Sequence, residues 1–259
     1  MSTGVTQARV IASEWVKLRT LRSTVWTLLV ALLLLIGLGL IICAATNANW
    51  DRNSPAERAT FQPVTASLAG TYLAQLAVGV LGALVITGEY STGMIRSSLA
   101  AVPRRLPVLW AKLIVFVVVV LVLGGLAALA AFLGGQALLG SHGTDLSAPH
   151  AVRAVLGVPL YLAGIGALAI GLGFLLRSTA ASIAVLFGLL LVVPIVLNFL
   201  PDSWRQRVRP YLPGEAGSRL FQLNPDPSPL SAWQGYGVLL LWVVAAVAGA
   251  AVVLRRRDA

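Results

Sequence analysis

Three observations predict an all-α protein that crosses a membrane with six transmembrane helices. Of 259 residues, 58% are apolar (AVILMFWYC) and only 11% are Asp, Glu, Lys or Arg, whereas an ordinary soluble domain is about a quarter charged. So few charges cannot cover a water-facing surface. The mean hydropathy of +0.88 is concentrated in uninterrupted runs close to the roughly 20 residues that cross about 30 Å of hydrocarbon. Stretches such as 114–123 and 180–193 are apolar at almost every position, which excludes the alternating pattern of a transmembrane barrel.

The net charge of +10 would point to nucleic acid in a soluble protein, but here the charges sit between apolar runs and read as topology signals. No nucleic-acid partner is expected. Cys43 is the only cysteine and lies within the first apolar run, so neither an intrachain disulfide nor a thiolate metal site can form. His142 and His150 share an outer loop with Asp145, at spacings that match no usual ligand set, and no metal is expected. The chain lacks the glycine-rich phosphate loop with its Lys, H-E-x-x-H and G-x-S-x-G. It is therefore expected to be no enzyme, to bind no nucleotide and to carry no cofactor.

From the N-terminus, residues 5–22 space Ala8, Ile11, Trp15 and Leu18 three or four apart, with Arg9, Ser13, Lys17 and Thr20 mostly opposite. This spacing predicts an amphipathic interface helix on the cytoplasmic membrane face, Trp15 at headgroup level and Lys17 and Arg19 toward anionic lipid. Its polar face is also placed to meet a cytoplasmic partner. The apolar run that follows is too long for a 7–15-residue signal core and reads as an uncleaved span. The six spans are read at 25–45, 67–87, 112–133, 155–176, 180–200 and 235–254. With the N-terminus inside, 12 Lys and Arg fall on the cytoplasmic side and seven outside, which predicts cytoplasmic termini at the plasma membrane. The dissenting element is the last outer loop.

In and beside the spans stand amides and phenols, such as Tyr72, Gln75, Gln136 and Tyr161, rather than ionisable groups at mid-span. Ion-coupled carriers bury charged side chains in the bilayer to hold the coupling ion, so the energy source is expected elsewhere. Small residues at spacing four, Ala163, Ala167 and Gly171 in the fourth span and Ala245 and Gly249 in the sixth, predict close helix packing, within the subunit rather than between subunits.

The loop 88–111 carries the sharpest signal. Ser91 or Thr92 can cap a short helix, and Val102 before Pro103 is biased out of helical conformation, so about ten residues are expected to form a separate cytoplasmic helix. Met94, Ile95, Leu99 and Val102 give it an apolar side. Glu89 stands at its membrane end, where it is expected to stay hydrated or to make an ionic contact that fixes this helix.

The run Glu89-Tyr90, Gly93-Met94, Leu99, Pro103-Arg104-Arg105, Leu109 and Lys112 resembles the Glu-Arg, Gly-Thr, Leu, Pro-x-x-Arg and Lys pattern of ABC-2 type transporter permeases. Tyr90 stands for the commoner Arg and Met94 for the commoner Thr. The opening stretch 13–24 and the closing Leu-Arg-Arg-Arg-Asp-Ala are similar to actinobacterial members, so the resemblance spans the chain. It implies one permease domain over 1–259: an interface helix in 1–24, spans one to five in 25–200, a partly re-entrant outer segment in 201–234, and span six with a basic tail in 235–259. It also implies a coupling helix that contacts a separate ATP-binding cassette ATPase through Glu89, Tyr90, Gly93, Met94, Ile95, Leu99, Pro103 and Arg104, and pairing with a second permease copy or paralogue. The function so implied is ATP-driven export; the alternative is a non-transporting membrane sensor, scaffold or assembly protein. In 201–234, six prolines prevent a long helix while Trp204, Tyr211, Phe221 and Trp233 suit a membrane boundary.

Overall fold

The computed structural model describes residues 6–95, 106–223 and 228–256. Among them the regular structure is helical throughout. Helix α1 (Gln7–Thr20) ends at Leu21, whose extended backbone turns the chain straight into α2 (Arg22–Ala48), the first span. Two short helices, α3 (Pro55–Thr60) and α4 (Pro63–Ser67), lead to α5 (Thr71–Ser91). Ser54 and Glu57 close a reciprocal capping box at the start of α3, which fixes where that helix begins. Helix α6 (Leu106–Leu139) and α7 (Ala151–Leu176) are spans three and four.

The fifth span is α8 (Thr179–Phe187), a π-helical turn at Gly188–Val192, and α9 (Val193–Leu197). Pro194 explains that wider turn. Its ring cannot accept the Leu190 carbonyl in an α-helical ladder, and a π-turn relieves the clash without breaking the span. Beyond it, α10 (Asp202–Val208) and α11 (Pro213–Ser218) precede α12 (Ala232–Arg256), the sixth span. All six spans are long and apolar enough to cross a membrane. The third begins earlier than expected, at Leu106 rather than Lys112, because 106–111 is itself apolar and helix-compatible.

The fourth span is the centre of the bundle: 83% of its most apolar stretch is buried, against 22% for the first and fifth spans. Lipid is as apolar as leucine, so spans associate through close van der Waals packing rather than through removal from water. That packing needs small residues. A Cβ on Gly82 of α5 would lie 2.5 Å from the Gly166 carbonyl of α7, and one on Gly171 would lie 2.8 Å from Ala246 of α12. The expected packing within the subunit is thus found for span four and at Gly249 of span six, where a Cβ would lie 3.2 Å from Leu175 of α7, whereas Ala245 is exposed and span six turns Ala246, Val247, Ala250 and Leu254 inward.

Helix α11 turns back into the bundle. Its Gly217 leaves no room for a side chain beside Tyr161 and Leu239, 2.7 Å from a Cβ, and Tyr161 lies ten residues into α7. Polar groups in the spans are paired there. The Tyr161 hydroxyl donates to Gln75 Oε1, and Gln222 Nε2 donates to the Tyr72 hydroxyl at 2.6 Å. Gln136 donates to the Pro63 carbonyl at 3.1 Å and accepts from Thr144 N–H at 2.8 Å.

Candidate functional site: a buried charge cluster at the helix ends

Glu14 and Lys17 lie three residues apart on one face of α1, so they stand side by side. Glu89 is in the last turn of α5, and Lys112 is in the second turn of α6. The fold brings these four together. The Lys112 ammonium donates to Glu14 Oε2 at 2.7 Å, to Glu89 Oε1 at 2.7 Å and to the Val85 carbonyl at 3.2 Å. Lys17 donates to Glu14 Oε1 at 2.7 Å and Glu89 Oε1 at 2.9 Å. Side-chain exposure is 1% for Lys112, 6% for Glu14 and 9% for Glu89, but 27% for Lys17.

Burying a charge costs several kcal/mol, which is recovered only when geometry and neutrality are both good. Among the described residues two cations meet two anions through short bonds, so these four side chains balance in charge. Burial by itself would lower the pKa of Lys17, but its hydrogen bonds to Glu14 and Glu89 prevail and raise it above the ordinary lysine value. Around the cluster, Leu18 packs on Val115 and Val119 of α6, and Gln7 Nε2 donates to the Pro107 carbonyl at 3.1 Å. A cavity of about 430 Å³ adjoins it, with Leu18, Leu81, Leu84 and Val115 in its walls.

Four expectations are corrected here. Glu89 is buried rather than hydrated, and Lys112 is an interior residue rather than a span boundary, because each is the other's counter-ion. Helix α1 turns Val10, Glu14 and Leu18 inward and leaves Ala8, Trp15 and Arg19 exposed. Its inward face is chosen by Lys112's need for a carboxylate and not by the most apolar stripe. Ser91 and Thr92 both donate to the Gly88 carbonyl, at 3.0 and 2.8 Å, and so help close α5; Gly93, at φ +73°, supplies the left-handed residue that ends it.

Of the other residues singled out, Tyr90 lies beneath the Arg177 guanidinium, 5.3 Å from the ring centroid. Arg177 takes a left-handed conformation at the end of α7, φ 51°, and this contact, with Thr179 donating to Thr87 at 2.8 Å, ties the start of span five to the end of span two. Met94 is exposed and Ile95 buried. Leu99, Pro103 and Arg104, with most of the expected coupling helix at 94–101, lie outside the described residues. Sequence reasoning gave no special role to Glu14; the signal was available in a lysine set inside an apolar helix, which demands an anionic partner.

His142 stacks on Trp50 at 3.9 Å. Among the described residues no three His, Cys, Asp or Glu side chains come together as a metal site.

Six spanning helices with a charge-paired helix laid across their ends define a multi-pass helical membrane protein whose buried ion cluster joins helices. The sequence profile of the ABC-2 family transporter proteins matches residues 10–199, and the chain belongs to that family. It is thus a transport-type membrane subunit, a permease, and not itself catalytic. The match takes in the interface helix, the charge cluster and five spans, and stops before the proline-rich segment and span six. A comparison with curated proteins finds no match.

Proposed function

We propose that this chain is the permease subunit of an ATP-driven exporter, set in the plasma membrane with both termini in the cytoplasm and driven by a separate ATP-binding cassette subunit. That subunit docks on the face formed by α1 and the segment 92–105, and a second permease copy or paralogue completes the pathway. The observation that carries this reading is the Glu14–Lys17–Glu89–Lys112 cluster. It fastens α1 to the two helix ends that flank 92–105, so a displacement delivered there reaches spans two and three together. The charge balance of 12 Lys and Arg against seven supports the orientation.

The test is co-purification with a candidate ATPase, followed by ATP hydrolysis across a substrate panel. The permease is expected to hold the ATPase and change its turnover. Leu99→Asp is expected to weaken docking by placing an unpaired charge in an apolar contact. Wild-type chain that neither binds the ATPase nor alters its turnover sinks the proposal.

A further inference from the structure

The arginines of 201–234 are the part of the sequence that the proposed function leaves unused. Four arginines stand there against Asp202, Glu215 and Asp226, on the side where a basic excess opposes the orientation rule. Two cavities open at this end of the bundle, of about 660 and 700 Å³, and share Arg209, Glu215 and Arg219 in their walls. Arg205 borders the first, while the second runs down to the paired phenols and amides of Tyr72, Gln75 and Tyr161. Its apolar wall includes Leu190 and Leu191, carried by the π-helical turn of span five, a helical irregularity frequent at functional sites.

The rim is held from below. Arg153 of α7 donates to the carbonyls of Arg219 at 2.9 Å and Gln222 at 3.3 Å. Within the rim, Arg209 Nε meets Glu215 Oε1 at 3.2 Å, with both side chains about a third exposed (33% and 32%). An ion pair so exposed contributes little, on the order of 0–1 kcal/mol, so an incoming anion can replace Glu215 at small cost. Among the described residues the cavity walls carry Arg205, Arg209 and Arg219 against Glu215; with Arg205 paired to Asp202 at 2.6 Å the surplus is still positive, and a cleft with one prevailing sign concentrates counter-charged solutes.

We propose that this vestibule binds the anionic group of an amphipathic solute, a carboxylate, phosphate or sulfate. Arg209 is its main contact, Glu215 is displaced, and the solute's apolar part lies against Leu190 and Leu191. As a site for the exported solute this rests on the proposed transport function; as an anion site it does not.

The test uses the full chain in phosphatidylcholine nanodiscs, with Cys43→Ala and a single reporter, Leu191→Cys, or, should that misfold, Thr65→Cys, which also lies in the wall of the second cavity. The rates of modification by anionic sulfonatoethyl and cationic trimethylammonioethyl methanethiosulfonate are compared with those at Ser141→Cys in the outer loop. The anionic-to-cationic ratio is expected to be about tenfold higher in the vestibule, at the low end of such enrichment. It should fall toward the control in Arg209→Gln, hold in Arg209→Lys and rise in Glu215→Gln. With neutral methyl methanethiosulfonate, decyl phosphate should protect the reporter and decyltrimethylammonium should not. Protection by phosphatidylglycerol in the disc, without decyl phosphate, upholds the anion site and assigns it to a lipid headgroup. Equal ratios at both positions, or protection by neither anion, overturn the proposal. Loss of the ATPase interaction with these results intact would instead remove only the transport reading.

Discussion

Replacing Lys112 with Met keeps the length of the side chain and removes the charge at the centre of the cluster. Glu14 and Glu89, with side chains only 6% and 9% exposed, then share Lys17 as their one cation among the described residues, and the four-residue group moves from neutral to a net charge of −1. Taking one partner out of a buried ion pair costs about 3–5 kcal/mol. Lys112 makes two 2.7 Å ionic bonds and a third to a carbonyl, which puts it in the upper part of that range. At about 2–4 °C per kcal/mol for chains of this size, the midpoint of thermal unfolding in nanodiscs, followed by tryptophan fluorescence, should drop by roughly 10 °C or more. The double variant Glu89→Gln/Lys112→Met leaves Glu14 with Lys17, a balanced pair, and should be more stable than Lys112→Met alone. That sign is what distinguishes charge balance from simple loss of packing. A single variant that loses less than about 1 kcal/mol, or a double variant that falls by the sum of the two singles, refutes the reasoning.

Gly82→Val should destabilise the bundle by about 1–3 kcal/mol or more, because the new Cβ meets the Gly166 backbone at 2.5 Å; Gly88→Ala, in the same helix with nothing within 4 Å, should instead raise the unfolding midpoint, as a better helix former. Lys17 has a pKa raised in the folded state, so its contribution is fully present below the unfolded lysine value near 10.4 and is lost as pH rises through the folded one. Unfolding midpoints should therefore show no Lys17-dependent change between pH 6 and 9, and a Lys17→Met variant should differ from the parent by less in strong alkali than at neutrality. Asp145 is held below the ordinary carboxylate range by hydrogen bonds from the Ser147 hydroxyl and backbone, so its hold on the 143–150 turn persists above the unfolded value and is lost as pH falls through the folded one. Carboxyl NMR should show that low titration in the parent and an ordinary one in Ser147→Ala.

The spans were legible because an unbroken apolar run of about 20 residues matches the thickness of a bilayer and suits little else. What escaped was decided by pairing at a distance. Nothing local in α1 says that Glu14 faces inward, since the apolar stripe through Ala8 and Trp15 is the stronger periodic signal. The face is set by Lys112, 98 residues away in sequence. The same limit hid the π-turn at Gly188–Val192. Where every position is apolar, periodicity carries no information, and only Pro194 hinted at a break in the ladder.

The placement of charge along the spans also constrains how energy can enter. Every Asp, Glu, Lys and Arg inside the six helices lies within about two turns of an end: Arg22, Glu89, Lys112, Arg153, Arg255 and Arg256. No charged side chain stands at mid-depth of these helices to hold a coupling ion, which agrees with the proposed drive by displacement at an end. At the end that carries α1, one helix continues into span one through Leu21 and is pinned to spans two and three by Glu14 and Lys17. Arg177 on Tyr90 adds the junction of spans four and five. On the proposed function, a push on any member of that plate reaches five spans, the last of which departs from the α-helical ladder at its π-turn.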